Sequence, residues 1–393
     1  MNFINPLHVN AHLHTPYSFS AFDKLTEPLD MAKKEGVSVV GINDFYSMNG
    51  YQEWNLECYL RKLYPLFNIE FISLQKEDMA ADIRVNDPNN PGRTYLSGKG
   101  MAYPVILPEP FAGELAAVRE ESNAHVEKMC GKLNELLAKV GVGFSLSFDL
   151  IKKELTKGCV RERHLAKALR MEVHRQSKGC REEATKLLEA VFGGKKLQAD
   201  VDNFAAVENE IRGTLLKAGG AAFVPENPKA FLSPDSVCKI ILAAGGIPTY
   251  PFLADDAKGC FTDFEKDLQK AADALKQRSI YSVEFITTRN SMEALEQYAT
   301  CLHEQGFVVT FGSEHNTPAM EPVKLSVRGG QPLSQKLVEI GYAGACVVAS
   351  HQQAVLNRKQ GYLDANGKAD VARRDEYIKD GDRIIKAAVY SKR

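Results

Sequence analysis

Three of the chain's nine histidines fall within seven positions, in HVNAHLHTPYS at residues 8–18. In an extended strand every second side chain points the same way. His8, Asn10, His12 and His14 are therefore expected on one face, and Leu7, Val9, Ala11 and Leu13 on the other. A solvated surface strand shows this alternation, and so does a strand whose polar face lines an enclosed site. Carboxylates and further polar groups stand at comparable places along the chain. Asp44 ends the run VSVVGIND, Glu70 lies in NIEFISL, Tyr250 in GGIPTYPF and Glu284 in YSVEFITT, while Glu314, His315 and Asn316 follow FVVTFGS. Imidazole and carboxylate converging on one point is the chemistry of a divalent metal site. Taken singly, each residue has a plainer reading. A lone His-x-His pair is a weak signal, Asp44 suits a turn cap, and Glu284, between Val283 and Phe285, suits a buried ion pair.

Convergence requires a scaffold that gathers strand ends. Short β-rich runs at 7–14, 37–44, 68–74, 245–252, 281–288 and 307–314 alternate with helical stretches at 27–36, 52–64, 233–246, 264–278 and 291–306. That rhythm predicts parallel strands with crossover helices, as a barrel or an open sheet. Such folds build their sites at the carboxyl ends of the strands. The middle of the chain breaks the rhythm. Residues 115–140 read as one long charged helix, and 145–232 as a helical, Lys/Arg/Glu-rich insertion closing over the site. The barrel then comprises 1–144 and 233–393, the latter with a helical C-terminal tail. In that tail QKLVEIGYAGACVVASHQQAV reads as an amphipathic helix packed on the barrel or on a partner. DPNNPGR (87–93) reads as a turn-rich loop, GRTYLSGKG after Glu70 as more loop, and GYLDANGKAD (361–370) as a surface excursion.

Bulk composition narrows the function classes. Lys plus Arg number 49 against 50 for Asp plus Glu in 393 residues, so there is no basic nucleic-acid footprint. No run approaches the roughly 18 apolar residues of a membrane span, and the opening MNFINPLHVNAHLH has no leader pattern. Eight dispersed cysteines without a C-x-x-C pair point to reduced thiols in a cytoplasmic protein.

These segments resemble the motifs of the PHP (polymerase and histidinol phosphatase) family of metal-dependent phosphoesterases, whose members are distorted seven-stranded β/α (TIM-like) barrels with clustered metal ions. NAHLHTPYS is similar to the family's H-x-H-[TS]-x-x-S, VVGINDFYSMNGY to its second motif, and FNIEFIS to the strand with a metal-bridging Glu. AAGGIPTYPF, SVEFITTRN and TFGSEHNTP resemble the later motifs in the same order. VRERHLAKALR, with LKAGGAAFVPENPKAFLSPDSVCKII, is similar to the insertion of the nucleotide-phosphatase branch. The likeness spans residues 7 to about 320. Departures matter as much. Phe45 and Tyr250 stand where the family has histidines, Glu314 replaces Asp, Asn316 replaces the last His, and GRTYLSGKG holds no histidine.

The resemblance thus implies a reduced site with one divalent ion (Zn, Mn, Fe or Mg) held by His12, His14, Glu70 and Glu314. His315 is the rival for the last place, because neighbours on a strand point oppositely. Asp44 is expected to orient or deprotonate water. Arg161, Arg163, His164 and Lys99 are expected to meet an anion, and Tyr250, Glu284 and Asn316 to hydrogen-bond the substrate. The implied activity is hydrolysis of a phosphate ester. The alternatives are a mononuclear metal enzyme of another class, acting on a carbohydrate or small polar metabolite, and a non-catalytic binding protein. The partner is in each case a small anionic or polyhydroxylated molecule; a homo-oligomer stays open.

Overall fold

Seven segments, most of them rich in β-branched and aromatic residues, form the strands β1 (His8–Leu13), β2 (Val37–Phe45), β3 (Tyr64–Leu74), β4 (Arg93–Lys99), β5 (Ile247–Phe252), β6 (Ser282–Ile286) and β7 (Val308–Gly312). A computed structural model describes residues 5–364 and 366–391. The first four residues of the leader reading, and Ala365 of the 361–370 excursion, lie outside the described residues. The strands pair in sequential order. The ends of the sheet meet where Leu13 bridges Glu314, with the His14 N–H donating to the Glu314 carbonyl (2.8 Å) and the Glu314 N–H to that of His12 (3.0 Å). The chain is therefore a distorted, nearly closed seven-stranded β/α barrel.

The expected loop after Glu70 is corrected by the structure: GRTYLSGKG contains β4, which runs antiparallel to both β3 and β5, whereas all other neighbours are parallel. Gly92, at φ +70°, turns the chain into this strand. The Asn86 side chain pins it by accepting from the Tyr95 N–H and donating to the Tyr95 carbonyl.

Helices α1 (Thr26–Lys34) and α2 (Tyr51–Arg61) cross between the first strands, and the short α3 (Lys76–Ala80) precedes β4. The middle of the chain supplies α4 (Phe111–Val140), α5 (Phe148–Leu155), α6 (Glu162–Gln176), α7 (Arg181–Val191) and α8 (Phe204–Ile211), with a π-helical turn at Arg212–Leu216. These helices bury their own apolar cluster, including Leu133, Leu165, Leu169, Leu188 and Ile211, apart from the barrel's. Helices α9 (Pro234–Ala243), α10 (Leu268–Gln277) and α11 (Met292–Glu304) complete the outer layer. The tail adds α12 (Gln335–Leu356) and α13 (Arg374–Tyr390). Among the described residues no helix is long and apolar enough to cross a membrane. All eight cysteines are unpaired.

Helix α12 packs on the barrel, burying Tyr342 to Ala349 against Ala11, Val39 and Val308 near the starts of the strands. Glycine permits the contact, because a Cβ on Gly344 would lie 1.9 Å from the Val309 carbonyl oxygen. Overpacking of this kind costs about 1–3 kcal/mol, so Gly344→Ala is expected to lower the denaturant midpoint clearly without touching the distant strand ends.

The expected four-residue polar face of β1 is only half realised. Register shifts flank Asn10. Asn10 sends its amide to Ser313 Oγ (2.6 Å) and the Val323 carbonyl (2.8 Å), and His8 is half-buried. The irregularity has a second effect: the Ala11 carbonyl accepts from Asn68 Nδ2 (2.9 Å) and Lys99 Nζ (3.1 Å). Gly41 leaves room for this, since a Cβ there would lie 2.5 Å from that oxygen. His12 and His14 remain together.

Candidate metal centre

His12 and His14, from β1 and the residue after it, meet Glu70 of β3 inside the barrel. His12 Nε2 lies 3.3 Å from His14 Nε2, and Glu70 Oε2 lies 3.6 and 3.2 Å from these two nitrogens. Both imidazoles are fully buried and Glu70 is 2% exposed. Three ligands about 2.0–2.1 Å from one ion at tetrahedral angles stand about 3.3 Å apart, so the donor set fits a divalent cation. A second observation agrees. Glu70 Oε2 is buried yet accepts no well-directed hydrogen bond, an arrangement that costs free energy unless a cation completes it. Among the described residues this is the one group of His, Cys, Asp or Glu gathered closely enough to hold an ion.

Each imidazole is oriented from behind. His12 Nδ1 stands 2.8 Å from Glu284 Oε2, which assigns the proton to Nδ1 and leaves Nε2 as the donor atom. Glu284 in turn takes Lys99 Nζ at 2.5 Å. His14 Nδ1 faces Ser18 Oγ at 3.3 Å, and Ser18 donates to Asp44 Oδ1 at 2.5 Å. Asp44 also accepts from the Thr15 N–H (2.8 Å) and Thr15 Oγ1 (2.5 Å), and burial raises its carboxyl pKa despite these donors and the nearby His14. Asp44 is thereby bound into the loop that follows β1.

Charge accumulates around His12. Burial alone would lower its pKa, but the carboxylates of Glu284 and Glu70 outweigh it and raise the imidazole from 6.5 to about 9. Burial would raise Glu70; His12 and His14 instead hold it well below the usual carboxylate range. In the ion-free protein, stabilisation by the His12 imidazolium is complete below about pH 6.5 and is lost as pH rises through about 9. An ion competes for the same site. Metal-free melting temperature is therefore expected to fall, and divalent-metal affinity to rise, between about pH 6.5 and about pH 9. Melts and calorimetric titrations across that window check both slopes.

Above the centre lies a cavity of about 1250 Å³, reached by Glu70 and walled by the helical segment. The rings of His14, Phe19 and Phe45 are nearly parallel, at 7–17° and 5.1–6.0 Å between centroids. Phe45 thus supplies apolar cover over His14. Arg161 lies over Phe45 at 5.2 Å and Arg163 over Phe19 at 5.7 Å. Arg161 Nη1 reaches Ser122 Oγ (3.2 Å), its Nε is buried without a partner, and Arg163 Nη1 reaches Asn209 Oδ1 (2.9 Å). Neither guanidinium forms an ion pair among the described residues, although both line the cavity. His164 lies behind them, its Nδ1 accepting from the Arg161 N–H at 2.9 Å to cap α6. Burial lowers its pKa to about 3, so the ring is neutral.

The remaining residues singled out in the sequence are placed as follows. Glu314, in left-handed conformation at φ +64°, reaches the cavity and is held by Arg289 and by Asn316 Nδ2. His315 turns elsewhere, bonding Ser313 Oγ (2.7 Å) and the Glu321 carbonyl (2.9 Å) and stacking on Phe22. Tyr250 donates to Glu265 Oε1 at 2.9 Å, away from the cavity. Lys99 and Glu284 are fully buried within the barrel and do not line the cavity. Sequence reading missed Arg289, which sits in a 3₁₀ turn after β6, and Asn43, whose amide lies 3.0 Å from both nitrogens of His12. It also missed His125 of α4, on the cavity wall. Only Asn43 carried a signal, two places before Phe45 on the same strand face.

No family model and no curated protein matches the chain. Solved structures do. An amidohydrolase from Chromobacterium violaceum, with bound sulfate and no metal, is similar at 15% identity over 84% of this chain and 96% of that one, with a TM-score of 0.51. A candidate metal-dependent phosphoesterase from Bifidobacterium adolescentis is similar at 16% identity over 86% and 96%, with a TM-score of 0.50. At these identities the likeness is one of fold.

Proposed function

We propose that the protein is a PHP-type hydrolase of phosphate esters working with a single divalent ion. The observation that carries this reading is Glu70 Oε2, buried between two imidazoles without a well-directed hydrogen bond, at the foot of a cavity whose wall presents two guanidiniums that form no ion pair among the described residues. A divalent ion held by His12, His14 and Glu70 supplies a Lewis acid and an acidified water. Arg161 and Arg163 bind the phosphoryl oxygens and offset the charge that grows on them. The Phe19 and Phe45 rings keep water from the rear of the site. His164 positions Arg161 rather than moving a proton, and Asp44 positions Ser18 against His14. Of the two residues that follow Ser313, Glu314 rather than His315 reaches the cavity, where Arg289 and Asn316 hold it outside the three-residue metal group. The insertion at 145–232 acts as the cover, and the eight unpaired cysteines support a reducing, cytoplasmic setting.

The test combines metal content and turnover. Protein purified without chelating agents is expected to carry about one ion per chain, and to release phosphate from a panel of phosphomonoesters with Mn²⁺, Zn²⁺ or Mg²⁺. Metal without phosphate release shifts the assignment to a carbohydrate or another polar metabolite, and absence of metal to a binding protein.

A further inference from the structure

We infer that Glu284, charge-balanced by Lys99, is a positioning residue that fixes His12 in the tautomer presenting Nε2 to the ion; the inference rests on the metal reading above. Both side chains are fully buried inside the barrel and neither lines the cavity, so substrate contact does not account for them. Glu284 divides its two oxygens between Lys99 and His12, and Ser97 Oγ also donates to Oε2 at 3.4 Å. Oε1 meets Lys99 Nζ at 2.5 Å, and Oε2 meets His12 Nδ1 at 2.8 Å. With a proton held on Nδ1, Nε2 is the atom left to face an ion, beside His14 Nε2 and Glu70 Oε2.

Lys99 grips β1 twice. It donates to the carbonyl of Ala11, the residue preceding His12, and through Glu284 it holds the His12 ring. It also balances a carboxylate that would otherwise be an unpaired buried anion, so that Glu284 remains an acceptor. The reversed strand β4 brings an ammonium to this point. Metal-bound histidines are commonly oriented by a carboxylate on the other ring nitrogen, and losing such a partner weakens metal binding about 10–100-fold.

Two double variants of the full chain separate orientation from packing. Lys99→Met with Glu284→Leu removes both charges and the acceptor. Lys99→Met with Glu284→Gln removes both charges but keeps a carbonyl able to accept from Nδ1–H. Cobalt(II) serves as the probe, with its visible d–d absorption reporting geometry and competition titration reporting affinity. Metal-free melting temperatures record folding. The Leu double is expected to bind cobalt about 10–100-fold more weakly than wild type with an altered spectrum, and the Gln double to recover most of that loss. Equal affinity in the two doubles, tight or weak, overturns the inference. If the wild-type protein itself takes up no cobalt, the metal reading has failed and this inference falls with it.

Discussion

Glu70→Gln is expected to strip the protein of its ion and its turnover together. Glutamine keeps the shape of the side chain, so the packing of β3 against β2 and β4 should survive. It removes the anionic oxygen that faces both His12 Nε2 and His14 Nε2. A lost ligand should cost more than the roughly 10–100-fold penalty for losing a residue that merely orients one. Metal affinity is thus expected to fall by more than about 100-fold, and phosphate release to reach background. The variant should remain folded, because glutamine preserves the side-chain volume and the strand pairing of β3, although the ion pairs with His12 and His14 are lost. Metal content measured beside circular dichroism decides the matter; a folded variant retaining stoichiometric metal would remove the centre from Glu70.

Arg161→Met should separate anion binding from metal binding. Arg161 reaches the cavity, stacks on Phe45 and leaves its Nε without a partner. Removing one preorganised donor to a developing anion typically costs about 10²–10³ in rate. A loss of that size in kcat/KM is expected, with metal content unchanged. Lysine should rescue poorly, since a point charge cannot reproduce the planar fork or its stacking on the ring. Phosphate release within about threefold of wild type would show that the guanidinium does not meet the substrate.

Legibility followed periodicity. β2 and β3 announce themselves through β-branched and aromatic runs, and alternation on β1 placed His12 and His14 together. β4 was illegible because Gly98 and Gly100 flank Lys99, and glycine beside lysine reads as exposed loop. The burial of Lys99 depends on Glu284, nearly two hundred residues away, which no local pattern reveals. Asp44 shows the complementary difficulty. A carboxylate at a strand end is visible in the sequence, but the Thr15 and Ser18 hydroxyls that occupy it are visible only in three dimensions. Phe45 and Tyr250 likewise appear as missing histidines until their own partners, His14 and Glu265, are seen.

Where β1 meets the end of β7, Leu13 bridges Glu314 and Asn10 bonds Ser313, and the two imidazoles flank Leu13 on either side. A cation linking them to Glu70 would tie first strand to third across the second, beside the place where the ring of strands closes. Occupancy and mechanical cohesion then become one cooperative quantity. Starvation for the ion would loosen the architecture as well as silence the chemistry.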